Sequence, residues 1–170
     1  GHKWMLSVEG LGGFYISKNV LEQIYPITVG WDSVVNALDF MNYDFTFRPD
    51  AKRFEEGSFN TMSIYALGAA LDLLQETGID SIQSGVLSQG DCLMEGLQKR
   101  NIKILNSMIP KERSGIISCG LRVDPQQLAT YMAENNVSLT VRDGIVRLSP
   151  HYYNSQDEAD RFFDLLDYFP

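Results

Sequence analysis

The sequence predicts a chain of mixed α and β structure that ends in a small α+β domain, running from about residue 100 to the end. Three local patterns carry this prediction. Asp124-Pro125-Gln126-Gln127 combines a helix N-cap, a proline at the first helical position and a capping-box partner. Asp143-Gly144, between two apolar runs, is the most reliable two-residue signal of a β-hairpin. Ser155-Gln156-Asp157-Glu158 is a second capping box, which opens a final helix.

The elements of this domain give the order β-α-β-β-α around one small sheet. The expected strands are 102–105, 114–121, 139–142 and 145–149. The helix that begins at Pro125 should continue to about Asn135. The last helix has apolar positions at Ala159, Phe162, Phe163 and Leu166. Such an order is typical of helices packed on one face of an antiparallel sheet.

The hairpin also predicts which way Arg147 points. With a two-residue turn, Arg142 pairs with Ile145 and Thr140 pairs with Arg147, and these four side chains share one face of the sheet. The other face is apolar: Leu139, Val141, Val146 and Leu148. Because the apolar face must pack on the helices, Arg147 should point outward from the small domain.

Before the small domain, the first 50 residues are less regular. A short strand is expected at 11–17. Asn19 should then cap a short helix that runs through Ile24 and that Pro26 ends. The aromatic-rich stretch 27–47 stays unassigned, and Arg48-Pro49-Asp50 is a turn signal.

Two helices should link these parts. Nearly every position of 61–75 is apolar or small, which indicates a helix buried on all sides, with Asn60 or Thr61 as its cap and Gly78 just past its end. From 80 to 99 the pattern is a single apolar stripe: Ile82, Val86, Leu93 and Leu97. This second helix should bridge two layers, and its three glycines mean that packing rather than propensity holds it.

Composition narrows the class of protein. The 170 residues are 44% hydrophobic and 21% charged, which is ordinary globular material, and the net charge of −8 with no basic cluster speaks against a nucleic-acid partner. No apolar run approaches the ~20 residues of a membrane span. Cys92 and Cys119 lack metal-site spacing and are expected to be core thiols. A soluble, cytoplasmic protein is therefore expected.

The stretch Gly1-His2-Lys3-Trp4-Met5 is the candidate centre of chemistry. A lysine between an imidazole and an indole, with glycines following, lies where desolvation lowers the pKa of an amine and makes it a nucleophile. The alternative is a terminal surface lysine, with Gly1-His2 left over from expression.

Four motifs in this order and spacing resemble the C-terminal half of a class V aminotransferase, a family that also holds cysteine desulfurases and isopenicillin N epimerase-like enzymes. They are His2-Lys3-Trp4, Gly12-Gly13-Phe14-Tyr15, Arg53-Phe54-Glu55-Glu56-Gly57-Ser58-Phe59-Asn60 and Val146-Arg147-Leu148-Ser149-Pro150-His151-Tyr152-Tyr153-Asn154. The resemblance implies an α/β protein of fold type I. Residues 1–99 would then be the end of the large, cofactor-binding domain with its bridging helix, and residues 100–170 the small C-terminal α+β domain.

The resemblance also implies a cofactor, roles for four residues and a dimer. Lys3 matches the lysine that forms a Schiff base with pyridoxal phosphate, and His2 matches a ligand of the cofactor phosphate. Ser58 takes the position of a threonine that reaches the phosphate of the neighbouring subunit, which implies a homodimer. Arg147 matches the arginine that binds the α-carboxylate of an amino acid substrate.

Three departures from the family pattern bear on function. Phe59 stands where the family has proline, and no cysteine lies between Val141 and Ile145, which argues against desulfurase activity. Everything that the family places before the lysine is absent, including the groups that stack on the cofactor ring and pair with its nitrogen.

Two functions therefore compete. One is a pyridoxal phosphate-dependent enzyme acting on an amino acid, represented here by a C-terminal fragment that is inactive by itself. The other is a non-catalytic fragment or degenerate paralogue that dimerises or binds without turnover. The sequence leaves transamination, epimerisation, elimination and lyase chemistry open.

Overall fold

The computed structural model describes all 170 residues, which form two compact units, Gly1–Leu73 and Leu74–Pro170. The boundary between the units lies within helix α2, Thr61–Thr77. No helix combines the length and the apolar character that crossing a membrane requires.

The second unit is a four-stranded antiparallel sheet with three helices. The helices are α3 (Ile79–Lys99), α4 (Pro125–Glu134) and α5 (Gln156–Asp167). The strands are β1 (Lys103–Ile104), β2 (Ile117–Gly120), β3 (Thr140–Arg142) and β4 (Ile145–Leu148), in the spatial order β1-β2-β4-β3. The predicted helices and strands are all present, and the strands are shorter than expected at their ends. The unit begins earlier than residue 100 because α3 packs on β1 and α5.

The β3–β4 hairpin has the predicted register. Thr140 lies opposite Arg147 and Arg142 lies opposite Ile145. The two turn residues, Asp143 and Gly144, have φ of 50° and 75°, as a two-residue turn with both residues left-handed requires. A β-branched residue would be strained in either position, so the Asp-Gly pair sets the register.

The core of the second unit lies between the sheet and the helices. Leu93 and Leu97 of the predicted α3 stripe belong to this core, and Ile82 and Val86 of the same stripe are buried as well. The fully enclosed side chains from other elements are Ile117, Cys119, Leu128, Met132 and Val146. Burying an aliphatic side chain of this size stabilises a fold by about 1.5–3 kcal/mol, so this cluster is the main source of stability of the unit.

Both predicted caps of this unit form. The carboxylate of Asp124 accepts the N–H groups of Gln126 and Gln127 at 2.9 and 2.8 Å. At the start of α5, Ser155 and Glu158 exchange side-chain to backbone hydrogen bonds, a complete capping box. The short sequence signals therefore placed these two helix starts correctly.

The first unit contains little regular structure before α2. It has helix α1 (Lys18–Leu21), two 3-10 turns (Trp31–Ser33 and Ala51–Phe54) and one isolated bridge between Val34 and Phe47. The expected strand at 11–17 is wrong, because these residues pair with no strand and lie in irregular backbone.

Two other expectations for the first unit and its boundary helix need correction. Helix α1 begins at Lys18 rather than after Asn19 and ends at Leu21. Helix α2 is not buried on all sides, because Met62 and Tyr65 are 81% and 80% exposed. Composition showed that the helix is apolar, but only the neighbours of a helix decide which of its faces are covered.

Candidate functional site

The candidate lysine lies in a closed turn of the first unit. The Leu6 N–H donates to the Lys3 carbonyl oxygen at 3.1 Å, and the Ser7 N–H donates to the Gly1 carbonyl oxygen at 3.1 Å. Leu6 has φ of 57°, a left-handed conformation that costs a residue with a side chain about 1–2 kcal/mol. The side chains of His2 and Lys3 are exposed. A strained turn thus holds the backbone of Lys3 while its amine remains accessible.

The start of α2 brings the segment after Lys3 next to the segment after Ser58. Asn60 caps α2, because its side-chain oxygen accepts the Ser63 N–H at 3.2 Å. The Ser63 hydroxyl donates to the Glu9 carbonyl oxygen at 3.3 Å. At Gly10, where φ is +86°, a Cβ atom would lie 3.2 Å from Nδ2 of Asn60. The third motif, which ends at Asn60, therefore meets the Glu9-Gly10 segment between the first two motifs at one helix end within one unit.

Ser58 is exposed and follows the 3-10 turn Ala51–Phe54, which Asp50 caps. The Asp50 carboxylate accepts the Lys52 N–H at 3.0 Å, which confirms the predicted turn there. The ring of Phe54 packs edge-on against Phe14, with centroids 5.3 Å apart. This contact joins the second and third of the four motifs.

Arg147 belongs to the second unit, on the sheet face that the hairpin register assigns to it. Its neighbours across the sheet are Ser118 on β2 and Thr140 on β3, both with short hydroxyl side chains. Arg147 is half-buried, and its Nε is fully buried with no hydrogen-bond partner in the protein. A buried donor that lacks a partner is costly, and the protein leaves the hydrogen-bonding capacity of this nitrogen unused.

The residues after Arg147 form a tight connection from β4 to α5. The His151 N–H donates to Oδ1 of Asn154 at 2.7 Å, and the Asn154 N–H donates to the His151 carbonyl oxygen at 3.1 Å. The Ser155 N–H donates to the Glu158 carboxylate at 2.7 Å, and this bond and one from Asn154 keep the pKa of Glu158 below its usual range. The imidazole of His151 is buried and stacks on Tyr153. This motif therefore fixes the end of the strand that carries Arg147.

The two cysteines lie in different environments. Cys119 is fully buried in the core, and burial raises its pKa to about 11, so it stays protonated. Cys92 is half-buried on α3 and accepts a hydrogen bond from Nε2 of Gln156 at 3.0 Å. The expectation of a core thiol is confirmed for Cys119.

Sequence reasoning missed one set of buried polar residues in the first unit. Asp32 and Ser33 are 7% and 0% exposed and lie in the stretch that stayed unassigned. The Asp32 carboxylate forms an ion pair with Arg48 at 2.6 Å. No periodic pattern marks this pair, because the two residues lie 16 positions apart in irregular backbone. The only sequence signal beside Asp32 was the Gly30-Trp31 pair, which suggests a loop.

The helix-and-sheet fold is that of the C-terminal part of pyridoxal phosphate-dependent α/β enzymes. The family model described as Aminotransferase class-V matches residues 1–162. The chain belongs to this family, and the resemblance drawn from its four motifs is confirmed.

Curated relatives include both aminotransferases and cysteine desulfurases. An uncharacterized aminotransferase of Schizosaccharomyces pombe is 28% identical over 97% of this chain and 42% of its own length. A cysteine desulfurase of Yersinia pseudotuberculosis is 34% identical over 95% of this chain and 42% of its own length. The chain thus spans less than half the length of these relatives.

Solved structures show the same fold. The cystine C–S lyase C-DES, in complex with its reaction product cysteine persulfide, is 23% identical with a TM-score of 0.83, over 99% of this chain and 45% of that one. A cysteine desulfurase of Escherichia coli is 20% identical with a TM-score of 0.80, over 96% of this chain and 43% of that one. In both cases the match again covers less than half of the larger protein.

Pyridoxal phosphate is the cofactor of this family, and the residues present here fit it. The cofactor has an aldehyde, which an amine such as that of Lys3 can engage, and a phosphate, which needs donors such as imidazole and hydroxyl groups. His2 and Lys3 are exposed and carry an imidazole and an amine, and Ser58 is exposed and carries a hydroxyl. Arg147 supplies a planar guanidinium of the kind that binds carboxylates with two hydrogen bonds.

Proposed function

We propose that this chain is the C-terminal part of a pyridoxal phosphate-dependent enzyme of the class V aminotransferase family that acts on an amino acid. The observation that carries the proposal is the buried, unpartnered Nε of Arg147 on the outward face of the hairpin. A guanidinium whose Nε is not used by the protein is suited to a carboxylate ligand, and a carboxylate is the group that all amino acids share.

The proposed roles follow from the chemistry of each side chain. When bound, pyridoxal phosphate supplies an electron sink that stabilises negative charge at the substrate Cα. The Lys3 amine holds the cofactor and takes or returns the proton at that Cα. His2 donates to the phosphate, and Arg147 binds the carboxylate of the amino acid substrate with two hydrogen bonds.

We also propose that the enzyme is a homodimer in which Ser58 donates to the phosphate bound by the partner subunit. Support comes from the first unit, where Ser58 is exposed and many large apolar side chains are too. Among the most exposed are Tyr15, Ile27, Met41, Tyr43, Met62 and Tyr65. An apolar surface of this extent is typical of a region that another protein surface covers.

The hairpin turn favours chemistry other than desulfuration. Cysteine desulfurases of the family carry a nucleophilic cysteine on a loop before the arginine motif, whereas here Asp143-Gly144 joins the two strands directly. The two cysteines of this chain are on α3 and β2, and the latter is inert. We therefore propose an aminotransferase, epimerase, elimination or lyase reaction that needs no thiol from this region.

A second candidate function applies to the polypeptide by itself. His2 and Lys3 are exposed, and the chain spans less than half of its relatives. Without groups that hold the cofactor ring, an exposed lysine binds pyridoxal phosphate poorly. We propose that the isolated chain dimerises or binds partners without turnover.

The test of the enzyme proposal is Arg147→Lys in the whole protein. A point charge cannot replace the two-point fork, so binding of amino acids should weaken at least tenfold while cofactor absorbance stays unchanged. The matched control is Arg142→Lys, because Arg142 lies on the same hairpin face but is exposed at its turn end. Unaltered amino acid affinity in Arg147→Lys, or an equal loss in both variants, would remove Arg147 from the site.

A further inference from the structure

The loop that leads to Ser58 is held by backbone and side-chain hydrogen bonds from the turn Trp31–Ser33. The Ser33 hydroxyl donates to the Glu55 carbonyl oxygen at 2.8 Å. The Asp32 N–H donates to the Glu56 carbonyl oxygen at 3.3 Å. Two successive carbonyl groups of the loop are thus bound by two successive residues of the turn.

The turn and the loop are also closely packed at Gly30, before the turn, and at Gly57, after the two bonded carbonyl groups. A Cβ atom on Gly30 would lie 1.8 Å from the Glu56 carbonyl oxygen, so only glycine allows this approach. A Cβ atom on Gly57 would lie 2.4 Å from Nε1 of Trp31, so the indole lies directly against the loop backbone. The backbone is therefore held up to the residue that immediately precedes Ser58.

The turn itself is firmly anchored. The buried carboxylate of Asp32 accepts from Nη2 of Arg48 at 2.6 Å, and the Asp32 carbonyl oxygen accepts from Nε of Arg48 at 2.7 Å. The Arg48 N–H donates to the Ser33 carbonyl oxygen at 3.0 Å. The Arg48 carbonyl oxygen in turn accepts from Nε of Arg53 at 2.8 Å. The turn is therefore joined to the Arg48 segment by three hydrogen bonds, one of which is an ion pair.

We infer that the turn Trp31–Ser33 positions Ser58 for the cofactor phosphate, with Ser33 as the positioning residue. The inference rests on the proposed function, in which Ser58 is a phosphate donor. The Ser33 hydroxyl uses both of its capacities, since it accepts the Gly30 N–H at 3.2 Å while donating to Glu55. Ser33 is fully buried and has no access to a ligand, so it acts only through the loop.

The experiment is a double-mutant cycle in the whole protein with Ser33→Ala and Ser58→Ala. Affinity is measured by absorbance titration with pyridoxal phosphate and with pyridoxal, which lacks the phosphate. Each single variant should bind pyridoxal phosphate about tenfold more weakly, because one charge-assisted hydrogen bond is lost. The affinity of each single variant for pyridoxal should stay unchanged. The double variant should be no weaker than Ser58→Ala, because the two residues act on one contact.

Two further variants keep the test decisive. Trp31→Ala removes the indole from Gly57 without touching a buried hydrogen bond, and should show the same selective loss if Ser33→Ala does not fold. Thr46→Val is the control, because it deletes a hydroxyl of the same unit that bonds to Asp44 and not to the loop. In Thr46→Val, the ratio of the affinity for pyridoxal phosphate to the affinity for pyridoxal should equal that of the unaltered protein.

The outcomes distinguish the positioning role of Ser33 from the phosphate-binding role of Ser58. If Ser58→Ala weakens pyridoxal phosphate binding but Ser33→Ala and Trp31→Ala do not, the positioning role is overturned and the phosphate role of Ser58 stands. The positioning role is equally overturned if Ser33→Ala weakens both ligands alike or adds to Ser58→Ala. If Ser58→Ala changes neither affinity, the proposed phosphate role itself fails.

Discussion

Gly96 on α3 lies directly against the aromatic ring of Phe163 on α5. A Cβ atom on Gly96 would lie 2.1 Å from Cζ of that ring, which is far inside contact distance. We expect Gly96→Ala to lower the free energy of unfolding by about 1–3 kcal/mol, because the buried Phe163 must leave its site or the helices must separate. Urea unfolding followed by circular dichroism measures the change.

Gly90, also buried on α3, is the matched control. A Cβ atom there would find only Cδ1 of Ile117, at 4.0 Å, which is ordinary van der Waals distance. Gly90→Ala should therefore be neutral or stabilise by up to about 1 kcal/mol through helix propensity. Equal destabilisation by both alanine variants would contradict this account of α3 packing.

The ion pair between Arg100 and Asp167 should make stability depend on pH. Arg100 Nε donates to the Asp167 carboxylate at 2.6 Å, and this hydrogen bond lowers the pKa of Asp167 in the folded chain. The stabilisation is therefore complete above the ordinary pKa of about 3.9 and is lost as pH falls through the lowered value. Because the pair is partly exposed, we expect Asp167→Asn to cost no more than about 1 kcal/mol at pH 7.

Asp164→Asn tests whether the hydrogen bond or only the charge matters. Asp164 acts on Arg100 through space, and its neutralisation should cost less than that of Asp167. Unfolding curves at pH 7 and at successively lower pH values measure both variants. A difference between Asp167→Asn and the unaltered chain that persisted below the lowered pKa would rule out the ion pair as its cause.

The isolated chain should bind pyridoxal phosphate poorly and show no catalysis. Lys3 is exposed, so water surrounds its amine and nothing in its turn encloses a cofactor ring. Titration with the cofactor, borohydride reduction and mass spectrometry of the Lys3 peptide give the measurement. Lys18, which is also exposed, is the internal control, and the two should be labelled to the same small extent. A tight stoichiometric adduct on Lys3 alone would contradict the expectation.

The proposed dimer should be visible by sedimentation at micromolar concentration. A charge on the exposed face of α2, as in Met62→Glu, should weaken dimerisation at least tenfold if this apolar face is part of the interface. Tyr168→Glu is the control, because Tyr168 is equally exposed at the end of the second unit. A clean monomer of the unaltered chain would argue against the dimer.

The sequence by itself determined the elements whose signals are local. The Asp143-Gly144 turn fixed the hairpin and so paired Thr140 with Arg147, because side chains alternate strictly along paired strands. The caps at Asp124 and Ser155 placed two helix starts, because a cap depends on backbone groups within three residues. The roles of His2, Lys3, Ser58 and Arg147 came from motif order, and they stay predictions.

Only the tertiary structure decided what depends on distant partners. The segment 11–17 has the sequence pattern of a strand but no neighbouring strand to pair with. Helix α2 is mostly apolar in sequence, yet the protein covers only one of its sides. The ion pair of Asp32 with Arg48 and the bond from Ser33 to Glu55 join residues 16 and 22 positions apart through irregular backbone. Such contacts have no period in the sequence, because loop geometry and packing rather than local propensity bring their atoms together.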